Sequence, residues 1–486
     1  MKKQLLLCAL SVLVFLASCS KSSDDDIINP PTDGNTVEVS GDVTTATTWS
    51  ASKIYVLKGN VFVTNNATLT IEPGTIIKGD KATKGALIIT RGAKIMAAGT
   101  VDKPIVFTSS VAAGARKEGD WGGIILLGKA QNNVGTSVAI EGISDATDKG
   151  KHGGTDNADN SGTMKYVRIE YAGIALSPDN EINGLTFGSV GSGTTIDYIE
   201  VYRSGDDAFE WFGGSVNCSH LIAIDTWDDD FDTDNGYSGK VQFGLAQRLA
   251  VTADVSGSNG FESDNNAAGD NAAPQTSAVF SNMTVLGPVG SGGSSINANF
   301  QHGAQIRRNS AISIFNSVFV GYTEGIFYDD ALPAGGALNA SGNLVAGRSV
   351  FANNLVYNSN SKSNQIKASN ATALGVVSPL LTAVNTIDAA KTVANIYPGF
   401  SLTGTVSYNP YLYSSDLAAG ARAGSPVFSL PVGSEALTGA AFTNAKLTSG
   451  FSSVAYKGAF GSENWASGWA HFDPQSLPYT TPGAVK

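Results

Sequence analysis

A pair of apolar residues, two positions apart, recurs along this chain at a nearly fixed interval, and that recurrence limits its folds more than any other feature. Leu69/Ile71 lies in "TLTIEPG", Leu87/Ile89 in "ALIITRG", Ile105/Phe107 in "PIVFTS" and Ile124/Leu126 in "GGIILLG". The second members, at 71, 89, 107 and 126, are 18, 18 and 19 residues apart. A unit this short cannot enclose a hydrophobic core by itself. It must stack on its neighbours, the inward residues of one coil about 4.8 Å above those of the coil below. The predicted architecture is a right-handed parallel β-helix.

The series continues at Val167/Ile169, Ile199/Val201, Ile222/Ile224, Leu249/Val251, Met283/Val285, Val318/Val320 and Leu355. The wider, uneven spacing is expected when loops are inserted at one corner of each coil. Propeller blades would repeat every ~40–50 residues and sandwiches would show hairpin turns; neither pattern is present. Long amphipathic helical patterns are also missing, and Gly is abundant at 56 residues. From about residue 400 the repeat fades and Pro and aromatics increase. A solenoid needs its last coil covered, so Phe460, Trp465, Trp469 and Phe472 are read as the apolar part of a C-terminal cap.

The N-terminus carries an address. "MKKQLLLCALSVLVFLASC" has two lysines, an apolar run of secretory length and small residues before a cysteine. Leu16-Ala17-Ser18-Cys19 resembles a bacterial lipobox, which implies lipidation of Cys19 after cleavage. "SKSSDDDIINPPTDGNT" is then a flexible tether, and its Ser/Lys followed by Asp24-Asp25-Asp26 resembles the surface-export signal of Bacteroidetes lipoproteins. The expected division is a signal peptide at 1–18, a lipidated tether at 19–44, the β-helix at 45–400 and a capping region at 401–486. The anchor implies an outer-membrane location facing the exterior.

Charge and cysteine content narrow the partners. Without Lys2 and Lys3, 29 basic residues stand against 42 acidic ones, a net charge of −13. Phosphate backbones would repel such a chain, so nucleic acid is excluded as a partner, and an acidic polysaccharide would need a bridging cation. Besides Cys19 the processed chain keeps only Cys218, so it can form no internal disulfide.

"DWGGIILLGKA", "GDDAFEWFGG", "IDTWDDDFDTDNGYSGKVQF" and "KGAFGSENWASGWAHFDP" resemble a widespread group of bacterial secreted β-helix proteins, many of them lipoproteins. The resemblance covers most of the chain from about residue 45. It implies an all-β, pectin-lyase-like right-handed parallel β-helix at the cell surface, and it implies no activity.

The chemistry is concentrated at one acidic corner. "SGDDAFEWFGG" (204–214), "WDDDFDTDNG" (227–236) and "SNGFESDNN" (258–266) align on Phe209, Phe231 and Phe261, each followed by an acid: Glu210, Asp232 and Glu262. Asp206-Asp207 is expected one coil below Asp229-Asp230, and Asp234 one coil below Asp264. Stacked carboxylates at that pitch repel by roughly 3–4 kcal/mol at a dielectric of about 20, unless solvent, a cation or raised pKa values relieve them. Calcium would use Asp228, Asp230, Asp232, Asp234 and Glu262. The stretch is no EF-hand, because Asn235 and Val241 stand at the sixth and twelfth positions, and a solvated acidic turn is the plain alternative.

A polysaccharide hydrolase would use Asp207, Asp229 and Asp230 as acid and water-holding groups. His302 and Arg307 in "QHGAQIRR" are types that accompany such acids in the polygalacturonase-like family, although its full motif order is absent. A lyase would need calcium with Arg203 or Lys240 as base. Trp211, Trp227 and Tyr237 are candidate rings for a sugar groove, if they are not core. Cys218 reads as packing, and His152 and His471 as loop and cap residues. The resulting expectation is a binding protein for a glycan or envelope partner, accessory to an outer-membrane uptake receptor. Polysaccharide cleavage and a structural or adhesive role are the alternatives.

Overall fold

The computed structural model describes residues 34–486 other than 144–146, 178–179, 292–295, 332–338, 358–364, 401–409 and 412–425. Cys19, the signal peptide and most of the tether lie outside the described residues. The tether's last residues are already structured. Thr36–Val43 is a strand that pairs in parallel with Ile54–Val63.

Among the described residues twenty-six strands join one ladder whose pairings are all parallel, so the chain is an all-β parallel β-helix. Each coil has three sides, which changes the meaning of the repeat. Leu69 stacks on Ile95, Ile77 on Phe107 and Leu87 on Ile124, steps of 26, 30 and 37 residues. The 18-residue interval therefore spans two of three sides, not one coil. It passed over Ile76–Gly79 because that strand places its two isoleucines side by side and has Gly79 where a second inward apolar residue would follow Ile77.

After Gly162 two of the sides fuse into one bent strand per coil. The bend falls at a residue with positive φ in five continuous strands, at Tyr166, Tyr198, His220, Phe243 and Asn282, and at Asn316 and Asn353 where the two sides are again separate strands. Left-handed backbone costs a non-glycine residue roughly 1–2 kcal/mol. Stacking along the solenoid opposes that cost, with Tyr198 over His220 at 4.1 Å and Tyr166 over Tyr198 at 4.5 Å.

The third side carries the acidic corner. Its strands Ala86–Ile89, Gly123–Leu127, Leu185–Val190, Phe209–Gly214, Phe231–Asp234, Phe261–Ser263, His302–Ile306, Glu324–Tyr328 and Ile366–Ala368 stack in that order. Leu185, Phe209, Phe231 and Phe261 form an inward column in the main core.

Among the described residues of the C-terminal region, those from 426 onward lie along the outer face of the coils. The Ala371–Thr382 helix lies at the last coil, with Val377 and Leu381 buried in the main core. Residues beyond 426 run back along the outside, against the direction in which the coils advance. Glu435 bonds Tyr357, Ala441 bonds Asn316, Ser452 bonds Gln242, Pro474 bonds Arg116, and Val485 packs on Ile54, Ile76 and Val106. Phe460, Trp465, Trp469 and Phe472 are the apolar part of this strap.

The strap also explains a misread phase. Leu221 and Ala223, not Ile222 and Ile224, continue the inward column above Ile199 and Val201. Next come Gly244 and Ala246, not Leu249 and Val251, and Phe319 rather than Val318 and Val320 faces inward. Ile222, Ile224, Val318 and Val320 point outward and are buried by the strap. A sheet covered on both faces loses its polar alternation, so sequence alone leaves the phase ambiguous.

Candidate functional site

The acidic corner is built by a ladder that the fold repeats. Two residues before each inward Leu or Phe stands an Asx side chain: Asn183, Asp207, Asp229 and Asn259. Asn183 Oδ1 accepts the Asp207 amide at 3.2 Å, and Asp207 Oδ1 accepts the Asp229 amide at 2.7 Å. Asp229 accepts from the Asn259 amide, and Asn259 Oδ1 from the His302 amide at 3.0 Å. Register follows from these bonds. Asp207 lies over Asp229 and Ala208 over Asp230, so the expected stacking of Asp206-Asp207 on Asp229-Asp230 is off by one. The next outward row is Glu210, Asp232, Glu262 and Gln305, while Asp234 falls level with Asp264 as expected.

These rows line a cavity of about 600 Å³ that contains eleven carboxyl groups and one guanidinium. Its floor is made where the Gly119, Gly173 and Gly205 turns cross. Gly173 has φ +89, and a Cβ there would come 2.4 Å from the Gly205 amide nitrogen. One wall comes from insertions between coils, which bring Glu141 and Glu181. Ile140, Ile143 and Ile182 from those insertions pack on outward Phe62, Ile125 and Phe212. The opposite rim holds Trp227, Asp228, Asp254 and Ser256.

Two triads within the cavity have the geometry of a cation site. Oxygens of Asp206, Asp207 and Asp228 lie within 4.8 Å of one another, and so do those of Asp207, Glu210 and Asp232. Calcium–oxygen bonds of about 2.3–2.6 Å put opposite ligands near that separation. Burial first, then the neighbouring carboxylates, push Asp206, Asp207, Glu210, Asp229 and Asp232 well above the usual carboxylate range. Burial takes Asp228 to about 6 even though Ser256 donates to it. Glu262 is pushed to about 8 by burial, and Arg307, which ion-pairs with it, pulls the other way.

The expected site residues separate into those in the cavity and those outside it. Asp207, Asp228, Asp229, Asp232, Glu262, Arg307 and Trp227 line it. Asp230 does not. It turns into the interior and bonds Arg248 Nε at 2.9 Å and Tyr322 OH at 3.1 Å. The same guanidinium grips the Thr226, Asp228 and Asn259 carbonyls, so the Asp228-Asp229-Asp230 run is splayed about it. Asp234 is also outside the lining. Burial and then Asp264 push it to about 7.

His302 is buried beside Glu324 at 2.9 Å and lies outside the lining. Trp211 and Tyr237, expected as sugar-binding rings, are core residues stacked at 5.3 Å, because alternate strand positions face inward. Trp227 keeps 39% exposure at the rim. Cys218 is buried and free in the core. Burial lowers His152 to about 3, where it bonds Ser189, and His471 sits in the strap, its amide on Glu200.

The expected set omitted Asp206, Glu210, Glu118, Glu141, Glu181 and Asp254, all of which line the cavity. Asp206 and Glu210 were readable from the aligned Phe residues. Glu141 and Glu181 had only an indirect signal, the lengthened intervals between Leu126 and Ile169 and between Ile169 and Val201 that mark insertions at this corner.

No curated protein matches the chain. Among solved structures, the Dettilon tailspike protein aligns at 10% identity over 66% of this chain with a TM-score of 0.22, and the chain spans 62% of that protein's length. The family model described as a pectate-lyase-like β-helix domain matches residues 41–393, which include every strand that lines the cavity. The chain belongs to the pectate-lyase-like β-helix domain family.

Proposed function

We propose that this protein is a lipid-anchored surface protein of the Bacteroidetes type that binds a glycan or envelope partner at the acid-lined cavity, as an accessory to an outer-membrane uptake receptor. The observation that carries the binding site is the pair of partly buried carboxylate triads meeting at Asp207, with Trp227 exposed at the rim. Calcium is the first cation for those triads, held by Asp206, Asp207, Asp228, Glu210 and Asp232. It would offset the repulsion between rows and offer open coordination positions to sugar hydroxyls or a carboxylate. Trp227 supplies a ring face beside the acids. The lipobox at Cys19 supports the anchor and the Asp24-Asp25-Asp26 run supports export.

Cleavage is the second reading. It is favoured by the upward pKa shift of Asp207 and Glu210, since burial and neighbouring carboxylates favour the neutral form that a general acid needs. One experiment addresses both readings. Mature protein is incubated with a panel of polysaccharides, with and without calcium, and retention and products are scored. Calcium-dependent retention that disappears in Asp207→Asn and Trp227→Ala supports binding. Products that disappear in Asp207→Asn move the protein to the enzyme reading. Neither retention nor products sinks both. Labelling of the cell-surface protein with a fatty acid, lost in Cys19→Ala, tests the anchor.

A further inference from the structure

The acid rows of the cavity face end together. The first runs Asp207, Asp229 and then neutral Asn259, each joined to the next by a side-chain-to-amide bond. The second runs Glu210, Asp232, Glu262 and then neutral Gln305. The third runs Asp234, Asp264 and then Arg307, whose amide bonds the Ser263 carbonyl one coil back. Arg307 lines the cavity, and among the described residues no other Lys or Arg does.

Its guanidinium reaches back across the rung. It ion-pairs with Glu262 and, through Nε, with Asp264 at 2.8 Å, while Arg308 holds the other Asp264 oxygen at 2.7 Å. The two carboxylate triads lie on the far side of Asp232. They draw on Asp206, Asp207, Glu210, Asp228 and Asp232, and they share Asp207 across two coils. None of those five ion-pairs with a basic side chain among the described residues. Glu262 belongs to neither triad, although it stands in the same outward row as Glu210 and Asp232. What distinguishes it is its guanidinium partner.

Carboxylates repeated every ~4.8 Å repel unless a counter-charge sits between them. A guanidinium is a planar monocation whose five N–H donors can serve two carboxylates at once, and it stays charged at any working pH. Arg307 therefore supplies at Glu262 what an added cation would have to supply at Asp207. That this rung holds a cation is seen in the protein's own side chain, independently of how many acids surround it.

We infer that Arg307 is the cavity's resident cation: it fills the cation place at the Glu262 rung and confines added cations to the triads that meet at Asp207. This rests on the proposed cation site at Asp207, but it concerns a rung that the site does not include.

Calcium chloride titrated calorimetrically into the mature chain at fixed ionic strength provides the test. Arg307→Gln should bind one calcium equivalent more than the unsubstituted chain. Arg307→Lys keeps a cation at the rung and should gain none. The double variant Glu262→Gln/Arg307→Gln lacks the carboxylate that the guanidinium held, and it should lose the gained equivalent. Lys103→Gln removes an exposed positive charge outside the lining, and it should gain none. Where Arg307→Gln is unfolded without metal, calcium should restore its circular dichroism spectrum; failure to do so overturns the inference. Equal stoichiometry in Arg307→Gln and the unsubstituted chain also overturns it and leaves the calcium reading standing. A gain shared by Arg307→Lys or Lys103→Gln overturns it as well, because net charge would then set the number. Calcium bound by Arg307→Gln but not by the unsubstituted chain supports it and sinks the calcium reading. No calcium bound by any chain overturns both.

Discussion

Two outer faces of the same solenoid bury charge in opposite ways. Under the strap, Arg168 is fully enclosed but reaches Glu170 at 3.3 Å, the Tyr479 hydroxyl at 2.8 Å and the Val485 carbonyl at 2.7 Å. Tyr479 in turn donates to Glu170 at 2.8 Å, and Glu200 accepts the His471 amide at 2.9 Å. Burial works against the Arg168 cation, and Tyr479, Glu170 and Glu200 more than offset it, so its pKa is raised. On the cavity face, carboxylates stack on carboxylates, and burial together with their neighbours pushes them toward the neutral form. Buried charge that is paired holds two pieces of chain together. Buried charge of one sign stores repulsion that an incoming cation can release.

That contrast is open to direct attack, and the largest effect is expected on the strap. Arg168→Ala leaves Glu170 enclosed without its guanidinium and should cost about 3–5 kcal/mol in urea unfolding. A cost near zero would mean the strap is not anchored by this group. The cavity should respond with the opposite sign. Asp207→Asn and Asp232→Asn each remove a like charge, so the cation-free protein should gain about 1–2 kcal/mol, a discounted share of the Coulomb repulsion. Destabilisation by both variants would show that the acids support the fold rather than a ligand.

Calcium should raise the melting temperature of the unsubstituted chain in proportion to the logarithm of its concentration, and much less in the two variants. An identical response in all three would remove Asp207 and Asp232 from the cation site.

The pH response is smaller and has a defined sign. In the folded chain Asp228, Asp234 and Glu262 titrate near 6, 7 and 8, above the ordinary carboxylate value near 4. A carboxyl raised by folding binds its proton more tightly in the native state. Cation-free stability should therefore rise as pH falls from about 8 toward 5. Glu324 behaves in the opposite sense. Burial alone would raise it, but hydrogen bonds from His302 and Lys367 hold it at about 2, so its contribution is present above pH ~4.3 and fades as pH falls toward 2. Chemical denaturation across this range should show a maximum on the acidic side of neutrality, and Glu324→Gln should flatten only the acidic limb.

The smallest change expected is in Trp227→Ala. A half-exposed rim ring carries little packing, so its melting temperature should stay put while ligand retention falls.

The apolar alternation determined that the chain must stack as a parallel solenoid, because units this short have no other way to bury their faces. The Phe209, Phe231 and Phe261 alignment likewise determined that Glu210, Asp232 and Glu262 share one outward row, since period-two geometry fixes the face once the inward residue is known. Tertiary structure decided the rest. The number of sides per coil was hidden by Ile76–Gly79, a strand without an apolar pair two positions apart, and the phase of the second side by a strap that makes both its faces apolar. The splitting of Asp228, Asp229 and Asp230 among rim, ladder and interior was decided by Arg248, eighteen residues further on than Asp230. Glu141 and Glu181 reach the acids only because inserted segments fold back over the outer face. A local pattern can say which way a side chain points from its own strand. Which distant group lies opposite is a property of how the coils stack.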